Sequence, residues 1–330
     1  MTPLPRPARQ QERGAALLTV LLLVATMSII AAMTLERLTL ATRVSGQGSA
    51  IVQARAYAMA MEQIAGIRIG AMKARSQTLS ADGWQGKPFT VPMEGGRATA
   101  SLYDAGNCFN LNSVVQSADN LTFSPNSQGI AQFAELMRLL NIPGQDAAAI
   151  AAATSDWIDS DTMPQIGGAE DDVYRGLASP YLPANTMMAE PSELRAVRGV
   201  TPQIYTQLRP YICALPVAKP SLLNVNTMLP EQAPLLAMLA PGYLDLGVAR
   251  EQLAARPQGG WSTISAFWAS GRLAGFTPPR AAEQQLRLTS RWFRLETQIA
   301  LGESEVTATA LLDADTVPVT TARRIWGEEE

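Results

Sequence analysis

The chain has 330 residues and a mass of 35.3 kDa; 47% of its residues are hydrophobic and 17% charged, below the roughly 25% charge of an average soluble protein, so one segment is expected to be apolar throughout. Lys and Arg number 26 against 29 Asp and Glu, a net charge of −3, which supplies no field to hold a nucleic-acid backbone. There is no histidine and only two cysteines, Cys108 and Cys213. That removes Ser-His-Asp and Cys-His catalysis, histidine-ligated zinc or haem, and any four-thiolate centre.

Met1–Gly14 is polar and Pro-rich, with Arg6, Arg9 and Arg13 against Glu12. From Ala15 to Leu35 no residue is charged; as a helix rising about 1.5 Å per residue, this segment is roughly 30 Å long and matches a bilayer's hydrocarbon core. The arginines ahead of it place the N-terminus on the cytoplasmic side and the chain beyond Leu35 on the exported side. A secretory signal peptide would need a small-residue cleavage site after a shorter apolar run. Here the run flows into TLERLTLATR without one, which leaves an uncut signal anchor or a cut at the polar–apolar junction itself.

The helical pattern continues to about Ser76. Ile51, Ala54, Ala58, Met61, Ala65, Ile69 and Met72 recur at spacings of three and four, the buried face of an amphipathic helix that needs a sheet to cover it. Gly46 and Gly48 each cost about 1 kcal/mol of helix stability and predict a bend or softening between the two parts. Strand character comes in two separated places: Arg97–Tyr103, and then Trp292–Leu301, Glu305–Asp313 and Pro318–Trp326. Gly302-Glu303 and Ala314-Asp315-Thr316 read as the hairpin turns.

Between the two strand regions, Val115–Leu288 reads as an insertion of short helices: Gly129–Leu140, Asp146–Ile158, Pro191–Val197, Pro202–Ile212, Pro230–Leu239, Leu246–Ala255 and Ser262–Ser270. Pro191, Pro202 and Pro230 suit first turns. Ser192–Leu208 resembles a helix-hairpin-helix unit, and Asn224-Val-Asn226-Thr227 with the helix after it looks like a second. The turn Gly199-Val200-Thr201 has only Arg195 and Arg198 nearby, too little charge for DNA, so protein contact is expected of these units.

The densest chemistry is Asp156-Trp-Ile-Asp159-Ser-Asp161, followed by a Pro–Gly-Gly loop and Glu170-Asp171-Asp172. So many carboxylates cannot all ionise close together without a counter-charge, and hard oxygen ligands on a flexible loop suit Ca²⁺. Counted from Asp159, acids fall at EF-hand positions 1, 3 and 12, but Met163 and Pro164 stand where that loop wants Asp/Asn and Gly. The expected ligands are Asp159, Asp161, Glu170 and Asp171, with Asp156 and Asp172 weaker. A solvated acidic loop and a carboxylate pair acting on glycans remain the alternatives. The cysteines lie on the exported side, where disulfides persist; a Cys108–Cys213 bridge is expected, against two buried free thiols.

Gln11-Glu12-Arg13-Gly14 followed by Ala15-Ala16-Leu17-Leu18 resembles the prepilin-peptidase site of type IV pilins and type II secretion pseudopilins. The runs DWIDSDTMPQIGGAEDDVY, SPYLPAN, PSELRAVRGVTPQIY and LLNVNT are similar, in order and spacing, to the minor pseudopilin K family, over nearly all of residues 10–315. The resemblance implies an α+β, pilin-like fold: a long N-terminal helix on an antiparallel sheet, with a large all-α insertion containing helix-hairpin-helix/SAM-like units and binding calcium. It divides the chain into a leader (1–14), a transmembrane part (15–37), a first pilin part (38–114), the insertion (115–288), and closing strands with a tail (289–330). It implies cleavage after Gly14, methylation of the new amine at Ala15, and Thr19 where most pilins carry Glu. It further implies a non-enzymatic place at the pseudopilus tip in the inner membrane with minor pseudopilins I and J and further pseudopilins. Secreted cargo or the outer-membrane secretin would be further contacts. A membrane-anchored, calcium-dependent binding module or a carboxylate-based glycan hydrolase is the alternative function.

Overall fold

The computed structural model describes residues 9–119, 121–302 and 304–327, with side chains from Ala15 onward. Most of the expected leader (Met1–Ala8), Glu303 of the first hairpin turn and the tail residues Glu328–Glu330 lie outside the described residues.

Helix α1 spans Arg9–Arg75. Its helical hydrogen bonding runs unbroken through Gly46 and Gly48, where an added Cβ would meet no atom within 4 Å. Every residue from Ala15 to Ser49 is exposed. Within the uncharged run Ala15–Leu35 the hydroxyls of Thr19, Thr26, Ser28 and Thr34 each donate to the carbonyl of Ala16, Leu23, Val24 and Ile30 respectively, so none of these four hydroxyls needs water. In the second half Ala54, Ala58, Met61, Ala65 and Ile69 are buried, whereas Ile51 stays exposed because it lies beyond the edge of the sheet's cover.

Five antiparallel strands form that cover: β1 (Phe89–Met93), β2 (Gly96–Asp104), β3 (Trp292–Leu301), β4 (Ser304–Asp313) and β5 (Thr320–Trp326), in spatial order β1-β2-β3-β4-β5. The long strands pair without slip, from Gly96↔Leu301 to Asp104↔Phe293 and from Ser304↔Leu301 to Asp313↔Trp292. Alternation puts Ala98, Ala100, Leu295, Ile299, Ala308 and Ala310 against α1; the many alanines leave room for the helix to lie close. At Gly96 a Cβ would come within 1.9 Å of the Ala300 carbonyl, so glycine is required there. Strand β1 was not predicted: Pro92 interrupts it, which an edge strand tolerates.

Glu62 on α1 is buried and accepts hydrogen bonds from Arg324 Nε and Nη2 and from the Thr321 hydroxyl (2.7 Å), which ties β5 to the helix.

The chain between β2 and β3 builds a second core of its own. Helices α2 (Ser127–Leu139) and α3 (Gly144–Ile158) pack together, and Phe109 stacks on Phe133 at 4.8 Å. Beyond them come α4 (Asp171–Arg175), α5 (Pro202–Leu208), α6 (Ala233–Ala237), α7 (Leu246–Ala254), α8 (Ile264–Trp268) and α9 (Arg280–Gln285). Pro191–Ala196 and Pro230–Gln232 are 3₁₀ turns in place of expected α-helix starts.

The two cores meet at Asp104, the last residue of β2. Its half-buried carboxylate accepts from Ser290 Oγ (2.5 Å), the Thr227 hydroxyl, Asn107 Nδ2 (3.4 Å) and the Gly106 N–H (2.8 Å). Burial raises its pKa, and the four donors partly offset that. Cys108 and Cys213 are bonded to each other beside this junction, with Cα atoms 5.8 Å apart.

Candidate metal centre

The acidic loop starts where α3 ends. Asp159 caps that end, and its backbone N–H bonds the Ser155 carbonyl at 2.8 Å. The loop returns to Glu170, whose backbone carbonyl starts α4.

Asp156 sets the loop's shape from inside. Its carboxylate accepts the N–H of Gln165 (3.1 Å) and of Ala169 (2.7 Å). The fit depends on glycine: a Cβ on Gly168 would lie 1.9 Å from Asp156 Oδ2, and Gly167 holds φ +81°, where a side chain is strained. Arg198 donates to the Gly168 carbonyl at 2.9 Å. Asp156, expected as a weaker ligand, is thus spent on the backbone.

Asp159, Asp161 and Glu170 converge, with one carboxylate oxygen from each within 4.8 Å of the others. Asp159 is fully buried and Glu170 nearly so, and neither oxygen of either carboxylate has a hydrogen-bond partner. Asp161 is exposed and turns one oxygen to the Met163 N–H at 2.8 Å. Asp171 pairs with Arg175 at 2.7 Å, one helical turn on, and Asp172 is exposed. Burial first, and then the neighbouring carboxylates, push Asp159 and Glu170 up to about 7 each.

Unpartnered buried carboxylates cost free energy unless a cation compensates them. Three oxygen donors converging on one point, two of them dry, are a hard-cation donor set. Behind them stands an aromatic wall that the sequence did not mark as part of the site. Trp157 meets Tyr174 and Tyr181 edge-on at 5.4 and 6.1 Å. Tyr174, whose hydroxyl accepts the Arg198 N–H (3.2 Å), is pushed up to about 12 mainly by burial. The only signal for these residues in the sequence is three large aromatics flanking the acids.

Family comparison decides the wider identity. Residues 107–217 and 223–289 match the two family models described as "Type II secretion system (T2SS), protein K". Both segments lie between β2 and β3, and the first contains the acidic loop. The chain belongs to the type II secretion system protein K family. It is 35% identical to the type II secretion system protein K of Pectobacterium carotovorum subsp. carotovorum, over 97% of this chain and 98% of that one. The Aeromonas hydrophila protein K is 38% identical over 79% of this chain and 81% of that one. A chain in the crystal structure of the GspK–GspI–GspJ complex of the enterotoxigenic Escherichia coli type 2 secretion system is also similar. It superposes with a TM-score of 0.73 at 27% identity, covering 87% of this chain and all of that one. The protein is therefore a minor pseudopilin of type II secretion, a structural component of that machinery.

Proposed function

We propose that this protein sits at the tip of the pseudopilus, assembles there with minor pseudopilins I and J, and carries a calcium ion in its helical insertion. The observation that carries the assembly reading is the likeness, over 87% of the chain, to a protein crystallised in a GspK–GspI–GspJ complex. The division of the molecule supports it: a long helix on five antiparallel strands suits a pilin-like plan, and the chain between β2 and β3 has a core of its own. The stretch around Thr201, which caps α5 by accepting the Ile204 N–H, suits the helix-hairpin-helix/SAM-like reading.

The exposed apolar half of α1 crosses the inner membrane once, with the basic segment before Gly14 in the cytoplasm and the folded part in the periplasm. Prepilin peptidase cuts after Gly14, and Ala15 becomes the mature N-terminus.

Position 19 supports the tip. In a pilin-like bundle an intramembrane Glu pairs with the amine of the subunit ahead; a charge in lipid is costly unless paired. Thr19 satisfies its hydroxyl within its own helix, on the Ala16 carbonyl at 2.8 Å, and so needs no subunit ahead of it. The insertion between β2 and β3 would also crowd the body of a thin filament but not its end.

Asp159, Asp161 and Glu170 hold the calcium ion, which would neutralise them and lock the loop between α3 and α4. Co-purification of the full detergent-solubilised chain with subunits I and J, with and without chelator, tests both parts together. A stable complex that weakens on chelation is expected, and no complex in either condition would overturn the assembly reading.

A further inference from the structure

The turn between the 3₁₀ segment Pro191–Ala196 and α5 touches α3, the acidic loop and α4, the three elements that shape the candidate metal centre. Arg198, at the middle of that turn, is held from two directions. Its Nη1 donates to the carbonyl of the buried Gly168 at 2.9 Å, inside the loop, and its backbone N–H donates to the Tyr174 hydroxyl on α4 at 3.2 Å. Gly199, the next residue, has φ +86° and lies against α3, where a Cβ on it would come within 3.1 Å of Ile150 Cγ1. Tyr181, beyond α4, donates its hydroxyl to the Ala196 carbonyl at 2.8 Å.

Both ends of this contact are tied to something else. On the loop side, Gly168 stands two residues before Glu170, and the Ala169 N–H between them is fixed to Asp156 at 2.7 Å, so the acceptor of Arg198 moves with a candidate ligand. On the other side, the Val200 N–H bonds the Val197 carbonyl at 3.2 Å, and the Tyr205 N–H bonds the Thr201 carbonyl at 2.9 Å. The Arg195 guanidinium lies over the Tyr205 ring at 5.8 Å, which joins the 3₁₀ segment to α5. Pro202, Gln203, Thr206 and Gln207 of α5 face solvent.

We infer that Arg198 is a positioning residue for the metal centre: it latches Gly168 to the turn before α5, so that filling the site orders residues 196–205 and loosening those residues weakens the site. This inference rests on the calcium reading given above. Without a cation, Asp159, Asp161 and Glu170 repel one another and strain the loop that carries Gly168. Once that repulsion is compensated, the Gly168 carbonyl stays on Arg198, and the exposed surface of α5 is ordered along with the loop. The coupling is reciprocal: the factor by which calcium favours the closed turn is the factor by which the closed turn favours calcium.

Hydrogen exchange of the Val197, Arg198, Val200 and Tyr205 amides in the full detergent-solubilised chain, with calcium and with chelator, reads the turn. Calorimetric titration with calcium reads the site. In the native chain calcium should slow exchange at these amides by on the order of fivefold or more. Arg198→Ala should remove that increment and weaken calcium binding by a similar factor. Arg198→Lys, which keeps a donor for the Gly168 carbonyl, should restore most of both. Thr201→Ala deletes the side-chain acceptor of the Ile204 N–H without touching the loop. It should speed exchange in both conditions and leave the calcium increment in place, which separates coupling from a simple loss of structure. Calcium that binds the native chain yet leaves these amides unchanged would overturn the latch and spare the metal site, as would an Arg198→Ala chain with the full increment and affinity. A native chain that binds no calcium would overturn both.

Discussion

Asp159 and Glu170 approach each other across the loop that joins α3 to α4, and all four of their carboxylate oxygens lack a hydrogen-bond partner while both residues are buried. Asp156, three residues before Asp159 on the same helix, has both oxygens engaged by backbone N–H groups. One acid therefore shapes the loop and the other two are left without a hydrogen-bond partner.

This difference gives a pH dependence. In metal-free buffer Asp159 and Glu170 titrate near 7 when folded, above their ordinary values of 3.8 and 4.5. The folded state then binds more protons than the unfolded one, so their contribution to stability is fully present below about pH 4 and is lost as pH rises through about 7. The melting temperature without metal should fall across that window. Calcium, which binds the ionised forms, should raise it more at pH 7.5 than at pH 5. Asp159→Asn/Glu170→Gln should flatten the metal-free decline and abolish the calcium response. Thermal scans at both pH values, with and without calcium, check this; an equal calcium response in the variant would refute the assignment.

Gly168→Ala probes the loop without removing a ligand. The added methyl would meet Asp156 Oδ2 at 1.9 Å and displace the Ala169 N–H from it. Leaving that buried carboxylate short of a donor should cost about 2 kcal/mol and weaken calcium binding at least tenfold, measured by calorimetric titration. Gly176→Ala, where the nearest atom is 3.4 Å away, is the control and should bind calcium normally.

Much of the fold is legible in the sequence, and the exceptions have physical causes. The stripe from Ala54 to Ile69 reads as a buried face because its period is helical, and the last three strands read because turn residues separate β-rich runs. Strand β1 escapes because Pro92 lies inside it, and α4 and α9 because five or six residues carry too little periodicity. The acidic loop is visible as composition, but its division of labour is not: which carboxylate faces backbone and which faces the other acids depends on Gly167 and Gly168 turning the chain. The junction is hidden for the same reason. Asn107, Asn110, Asn112, Asn224 and Asn226 are all buried. Asn112, for example, donates to the carbonyls of Met188 and Leu215 and accepts the Met188 N–H. Their spacing alone reads as turns.

Glu62 should be the most sensitive charged position in the sheet–helix layer. Glu62→Ala leaves the Arg324 guanidinium and the Thr321 hydroxyl without their acceptor, a loss of about 2–3 kcal/mol. In a double-mutant cycle, adding Arg324→Ala should cost less than it does alone. Strict additivity in chemical denaturation would contradict the coupling.

The Cys108–Cys213 bond closes a loop with a sequence separation of 105, worth about 4–5 kcal/mol in the chain-entropy model. Reduction should lower the melting temperature, and unreduced, denatured protein should show no free thiol on alkylation.

Gold labelling of this subunit on assembled pseudopili tests its position in the filament most directly. Label at one end only is the predicted result. Label distributed along the whole filament would contradict the tip assignment.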